Sequence, residues 1–292
     1  MKQFFIYIVK IFFAIAISAI VLDLAYSYVY LKTEKRNKIV NIYNTKSKNF
    51  DIVILGSSRA NNHFVTQLFN DKGLKSFNYG MSGSSLEESV LMLKLMLERN
   101  YKMKNIIVEV DLNLSSNGFS EGTRARFMPY LHYSNVIKQH YKNRIPNFNT
   151  LYYVPFYRYV NYEAKIGFRE MFFSAINKKS NDLDQFGYYP LLSQTNDMKY
   201  DLSKRKPIRN VAFDEMKQIC KKNNINLIAI TTPICQNTVN FNYFKQIKEV
   251  YPEVRNYEQV IQEDRYFSSC GHLNNEGAKL FTQYIIRDLF NK

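Results

Sequence analysis

The sequence predicts an α/β fold: a parallel sheet with helices on both faces, an inserted mainly helical region, and a transmembrane helix at the N-terminus. Three observations carry this expectation. Short apolar runs ending in Gly or polar turns alternate with stretches of helical periodicity. From Ser115 to about Lys206 that rhythm breaks, and Tyr, Phe, Asn and Lys dominate. Phe4 to Leu22 carries a single charge, Lys10, and ~20 apolar residues suffice to cross a ~30 Å hydrocarbon core.

Taken in chain order, residues 1–31 are expected to be the anchor, 32–48 a juxtamembrane linker, and 49–292 one α/β domain with an insertion at about 115–206. The first stretch fits a cleaved signal peptide or an uncleaved anchor. No small-residue cleavage site precedes a polar start. Asp23 leads instead into Leu24 to Leu31, rich in Tyr as at a membrane interface, which favours the uncleaved anchor. Lys2 and Lys10 lie on the N-terminal side, and Lys32, Lys35, Arg36 and Lys38 on the C-terminal side, so the positive-inside rule would leave the domain in the cytoplasm.

Asn49 to Leu55 (NFDIVIL) reads as a buried first strand ending at Gly56. Asn61 to Phe69 fits a helix, and Lys75 to Tyr79 a second strand. Ser84 to Arg99 has helical spacing, opened by Ser84 or Ser85 with Glu87 and Glu88 as capping residues. Asn105 to Val110 (NIIVEV) reads as the third strand. Beyond the insertion, Ile208 to Asn223 fits a helix, Asn226 to Thr231 a fourth strand, Val239 to Val250 a helix, Val254 to Tyr257 a short fifth strand and Asn275 to Phe290 a last amphipathic helix. Strands alternating with helices imply the parallel sheet.

Composition narrows the function classes. The chain is 46% hydrophobic, enough for a sizeable core, and its net charge is +15. Lys and Arg are spread along the whole chain, without zinc-finger spacing or a nucleic-acid-binding signature. A phosphate-rich membrane surface or an anionic glycan therefore fits better than nucleic acid, and plain solubility is the alternative. Cys220, Cys235 and Cys270 form no C-x-x-C pair, so they read as small apolar residues with at most one bridge.

In an open parallel sheet the active crevice lies beyond the carboxyl ends of the strands. Four polar clusters fall there or oppose it: Gly56-Ser57-Ser58-Arg59, Asn78 to Ser85 (NYGMSGSS), Asp111-Leu112-Asn113 and Cys270-Gly271-His272-Leu273-Asn274. Acyl transfer needs a nucleophile, a base within hydrogen-bond reach and donors for the developing oxyanion. Ser58 at a strand–helix junction is the candidate nucleophile, with a helix cap as its alternative. His272 is the candidate base, and Asn113 a candidate amide donor. Gly83 either admits a close backbone approach or serves a turn. Arg59 binds an anionic group or pairs with a carboxylate, and His63 reads as structural. Thr231-Thr232-Pro233 ends the fourth strand at the same edge, as part of the site or as a plain turn. Tyr152, Tyr153, Phe156, Tyr157, Tyr159 and Tyr162 stack on sugar or pack a helical insert.

These clusters resemble the motif blocks of the SGNH/GDSL hydrolase family. Ile54 to Arg59 is similar to its first block with Ser57 where the family has the Asp of G-D-S, and its nucleophile falls on Ser58. The second block's oxyanion glycine falls on Gly83. Val108 to Asn113 is similar to the third block, with Asp111 for its Gly, and its Asn falls on Asn113. His272-Leu273-Asn274-Asn275-Glu276-Gly277-Ala278 is similar to the last block, except that Ser269 stands where the family has an Asp three residues before the His. A Ser–His dyad or an acid rerouted through Asp264 would then replace the full triad. The resemblance implies a flavodoxin-like three-layer α/β/α sandwich and a serine esterase or O-acyltransferase without metal or cofactor. It also resembles membrane-anchored bacterial proteins of the polysaccharide O-acetyltransferase kind. The expected partners are an acylated, above all acetylated, cell-envelope carbohydrate, the membrane and polysaccharide-assembly proteins, with an extracytoplasmic domain. The alternatives are an inactive member that binds or organises polysaccharide machinery, and a hydrolase acting on lipid.

Overall fold

In the computed structural model, which describes residues 1–195 and 198–290, the apolar runs become one parallel sheet. Its strands are β1 (Asn49–Leu55), β2 (Ser76–Asn78), β3 (Lys102–Glu109) and β4 (Asn226–Ile230), in the spatial order β2-β1-β3-β4. Val53 of β1 lies opposite Phe77 on one side and Ile106 on the other, and Ile107 lies opposite Ile228. Ile52, Val53, Ile54, Ile106, Ile107 and Val108 have no exposure. Consecutive residues of a strand face opposite sides, so full burial of both parities explains the unbroken apolar runs. The expected fifth strand contributes a single parallel bridge, Arg255 beside Ile230.

The helices follow their caps. α1 (Lys2–Lys32) and α2 (Lys38–Asn44) precede the sheet. The helix expected over Asn61 to Phe69 divides into α3 (Ser58–His63) and α4 (Thr66–Asn70). Phe64 and Val65 between them are extended and buried, and the Val65 N–H donates to Thr282 Oγ1 at 2.9 Å instead of continuing a helix. α5 (Leu86–Glu98) opens with a capping box of Ser85 and Glu88. α6 (Val211–Lys222) is capped by Asn210, and α7 (Asn275–Leu289) by Asn274, whose side chain accepts from Gly277 N.

The described residues divide into two compact units. One joins Met1–Thr45 with Arg124–Lys179; the other comprises Lys46–Thr123 and the chain from Ser180 onward and holds the sheet. The flanks of the insertion belong to the sheet unit: Ser120 N donates to Glu88 Oε1, and Asn210 Nδ2 to the Ser116 carbonyl.

In the other unit α1 has 31 residues, about 46 Å at 1.5 Å per residue. Its apolar N-terminal part is exposed, and by length and composition it fits a membrane span or a signal sequence. Its last third is packed. Asp23 accepts from Arg158 Nη2 and from Phe156 N, both at 2.8 Å, and Tyr30 donates to the Ile166 carbonyl. Tyr26 and Tyr30, expected at a membrane interface, lie inside this unit against Tyr159. The segment expected as a linker contains α2, with Ile39, Val40 and Ile42 fully buried.

Candidate active site

The first polar turn is shaped by an acid beneath it. Gly56 has φ +138°, and a Cβ there would lie 2.9 Å from Glu109 Cβ, so both conformation and space demand glycine. Glu109 Oε2 accepts from Ser57 N at 2.9 Å and Ser57 Oγ at 2.6 Å. Ser57 Oγ in turn accepts from Arg59 N and caps α3. Asn78, at the end of β2, donates from Nδ2 to the Ala60 carbonyl and fixes the same short helix. Ser58 therefore begins α3 beyond the end of β1, and the cap role weighed for it belongs to Ser57.

Ser58 Oγ stands 2.8 Å from His272 Nε2, and Ser269 Oγ stands 3.2 Å from His272 Nδ1. The three side chains form a line across 214 residues of sequence separation. His272 sits on a small antiparallel pair, β5 (Phe267–Ser269) and β6 (His272–Leu273), in which Ser269 faces His272. His63, buried beneath, accepts from Leu273 N through Nε2 at 3.1 Å, and its ring meets that of His272 edge to face. Burial, with Arg59 and His272 adding to it, holds His63 well below the ordinary imidazole range. It is a neutral prop for the strand that carries His272.

Arg59 is a buried knot rather than a ligand arm. Its guanidinium pairs with Asp111, donates to the Gly271 carbonyl at 2.8 Å and to the Thr232 and Pro233 carbonyls at 2.7 and 3.0 Å. Asp111 also accepts from Thr232 N and Oγ1. One ion pair thus ties the ends of β1, β3 and β4 to the loop before His272. Of the Thr231-Thr232-Pro233 turn, Thr232 and Pro233 join this knot.

Ser58, Arg59, Asn113, Ser269, Cys270, Gly271 and His272 line one groove of about 470 Å³, together with Lys199, Tyr200 and Arg205 from the end of the insertion. Gly83 and Asp264 are outside this lining. Gly83 has φ +78° and open space where a Cβ would lie, so its glycine serves the turn and not a close backbone approach. Asp264 opens a short 3-10 turn with Oδ1 buried and unpartnered among the described residues, while His272 Nδ1 faces Ser269.

Electrostatics separate the buried groups. Burial, with Arg59 nearby, pulls the His272 imidazole down to about 4. Burial and the charge of Asp111 push Glu109 up to about 7. Asp111 is itself raised by burial, against the pull of Arg59. Among the described residues no group of three or more His, Cys, Asp or Glu is placed to hold a metal.

The three cysteines do not behave alike, contrary to their reading as small apolar residues. Cys235 and Cys270 form a disulfide, and Cys220 is free and buried. The bridge sits two residues from His272, and Cys235 N donates to the Cys270 carbonyl at 3.0 Å. Sequence reasoning also missed Glu109 and Asp111 as partners of the first turn. Their one signal was an acid closing an otherwise apolar strand, Val108-Glu109-Val110. Lys199 and Arg205 gave none, since only the folded chain brings them to the groove.

No protein-family model matches the chain, and no curated protein matches it.

Proposed function

We propose that this chain is an SGNH/GDSL-type serine esterase or O-acyltransferase acting on an acyl ester of a cell-envelope carbohydrate. The observation that carries the reading is the 2.8 Å contact between Ser58 Oγ and His272 Nε2, inside the distance a general base needs. Ser58 Oγ attacks the ester carbonyl while His272 Nε2 takes its proton. The tetrahedral intermediate collapses to an acyl-serine, and His272 returns the proton to the leaving alcohol. Water or a sugar hydroxyl then accepts the acyl group. Ser58 N, at the open first turn of α3, and the Asn113 amide are the groove-side donors for the oxyanion. Losing one such donor typically costs about 3–4 kcal/mol of transition-state stabilisation.

The same reading makes the sheet unit a flavodoxin-like three-layer sandwich. The order β2-β1-β3-β4, with the Arg255 bridge at the far edge, supports it. So do two separate helix pairings, α5 with α6 and α3 with α7.

We read α1 as an uncleaved anchor with the sheet unit outside the cytoplasm. Arg158 is 1% exposed and its charge is paired with Asp23 of α1. Cleavage after Asp23 would leave a buried cation without its counter-ion, a loss on the order of 3–5 kcal/mol. The Cys235–Cys270 bridge supports an oxidising compartment.

A second reading, an inactive relative that binds or organises polysaccharide machinery, is favoured by one observation: Ser269, uncharged, faces Nδ1 of His272. A fluorophosphonate probe separates the two. Covalent labelling of the full chain that disappears in Ser58→Ala is expected; an unlabelled, folded wild type would favour the binding role instead.

A further inference from the structure

The groove around Ser58 is electrostatically one-sided. Among its described lining residues the cations are Arg59, Lys199 and Arg205, and none is a carboxylate. Arg59 is neutralised by Asp111. Arg205 is not neutralised by anything described: its Nη1 donates to the Leu112 carbonyl at 3.3 Å and to Ser115 Oγ at 2.9 Å, both uncharged. Lys199 is exposed and forms no ion pair among the described residues. Glu109, a second acid under this end of the sheet, is fully buried behind Ser57, and Glu258, a third, is held by Thr231 Oγ1 and is not among the groove's lining residues. In a recess with low-dielectric walls, a half-buried cation such as Arg205, with no carboxylate partner among the described residues, is screened less than on an open surface.

We infer that the groove selects an acyl ester whose carrier bears a fixed negative charge close to the esterified hydroxyl, a carboxylate or a phosphodiester, with Arg205 and Lys199 holding that charge. This rests on the acyl-ester reading of the same groove. The planar guanidinium of Arg205, already oriented by Leu112 and Ser115, suits a two-oxygen anion. Lys199, on an exposed and flexible stem, contributes as a point charge. A neutral sugar would depend on stacking instead, and Tyr200 is the one Phe, Tyr or Trp among the described lining residues. The chain's excess of basic residues, 40 against 25 acidic, adds attraction for a polyanion at longer range.

The test compares three acetylated oligomers of equal length with the full chain in detergent: a uronate oligosaccharide, a glycerol-phosphate oligomer and a neutral glucan. The expected kcat/KM for at least one anionic ester exceeds that for the neutral one by about tenfold or more at low salt, the advantage shrinking as salt rises. In Lys199→Glu and in Arg205→Ala the ratio falls toward one. The leading anion distinguishes carboxylate from phosphate. Equal turnover of the neutral ester, or a ratio untouched in both variants, overturns the inference. Arg205→Ala also loosens the Leu112–Ser115 turn, whereas Lys199→Glu lies at an exposed position and reads charge alone. If none of the three is turned over by Ser58, the ester reading fails. Calorimetry of the deacetylated oligomers on Ser58→Ala then decides this inference separately: tighter anionic binding abolished by adding Lys199→Glu supports it, and equal binding overturns it.

Discussion

In the proposed mechanism His272 acts without a charged partner, and that fixes how it would respond to pH. Ser269 accepts or donates one hydrogen bond at Nδ1 but cannot stabilise the imidazolium that forms when Nε2 takes a proton. With the imidazole held down to about 4, the base stays unprotonated at neutral pH and through mild acid, so the acid limb of kcat/KM is expected near pH 4. Ser269→Asp puts a carboxylate on Nδ1. That raises the imidazole, moves the acid limb up toward neutrality and increases turnover at pH 8, by about tenfold or more given what an orienting carboxylate contributes in a triad. A pH–rate profile of both proteins checks it; an unmoved acid limb would mean that His272 is not the base. Glu109 gives a second residue-scale test. Its carboxyl, ordinarily near 4.5, is pushed up to about 7 in the fold. Between these values the folded chain keeps a proton that the unfolded chain releases, so the fold loses stability as pH rises through that window. Glu109→Gln keeps an acceptor for Ser57 N and has no charge to bury. Its unfolding midpoint relative to wild type is therefore expected to rise from pH 5 to pH 8. Ser58 and His272 were legible because each sits in a contiguous motif. Glu109 and Asp111 were not, because what they do depends on strand pairing: β3 lies beside β1, which brings them under residues 57–59.

The elements that could be read from sequence are those whose fate is decided by neighbours along the chain. β1 runs over Asn49–Leu55 as its apolar run predicts, and α5 begins at its capping box. The Asn61 to Phe69 helix was misread because its interruption comes from afar, Thr282 of α7 taking the Val65 N–H. The disulfide was hidden for the same reason. An odd number of cysteines without a short spacing motif carries no pairing information, and Cys235 meets Cys270 only after β4 and the β5–β6 pair are in place. The bridge closes a 35-residue separation and holds the β5–β6 pair, which bears His272, to the turn after β4. Chain-entropy arguments give such a loop about 3–4 kcal/mol. Cys235→Ser with Cys270→Ser, or strong reductant, is expected to lower the denaturation free energy of the chain by about that amount, measured in urea. Unchanged stability under reductant would mean that the two thiols are not bridged in the purified protein.

At the scale of the whole molecule, two arguments about the membrane oppose each other. Lys32, Lys35, Arg36 and Lys38 follow the apolar stretch and outnumber Lys2 and Lys10 on its N-terminal side, which by the positive-inside bias keeps the rest of the chain in the cytoplasm. That bias is statistical and acts on the chain during insertion. Two of those cations acquire structural work afterwards: Arg36 makes a two-point pair with Glu170, both contacts at 2.9 Å, and Lys38 is buried at the start of α2. Their presence after the helix therefore has a reason in the fold that does not concern topology. The disulfide has no such alternative role in a reducing compartment, where thioredoxin and glutathione would keep both thiols free. A chemical requirement outweighs a charge bias, and the expected arrangement has the N-terminus inside and the sheet unit outside. In a bacterial host, alkaline phosphatase fused after α7 should then be active, because it needs an oxidising compartment to fold, while a green fluorescent protein fused at the same point and exported the same way stays dark. The reverse pattern would put Cys235 and Cys270 in the cytoplasm as free thiols, and would remove cell-envelope carbohydrate from the reach of Ser58.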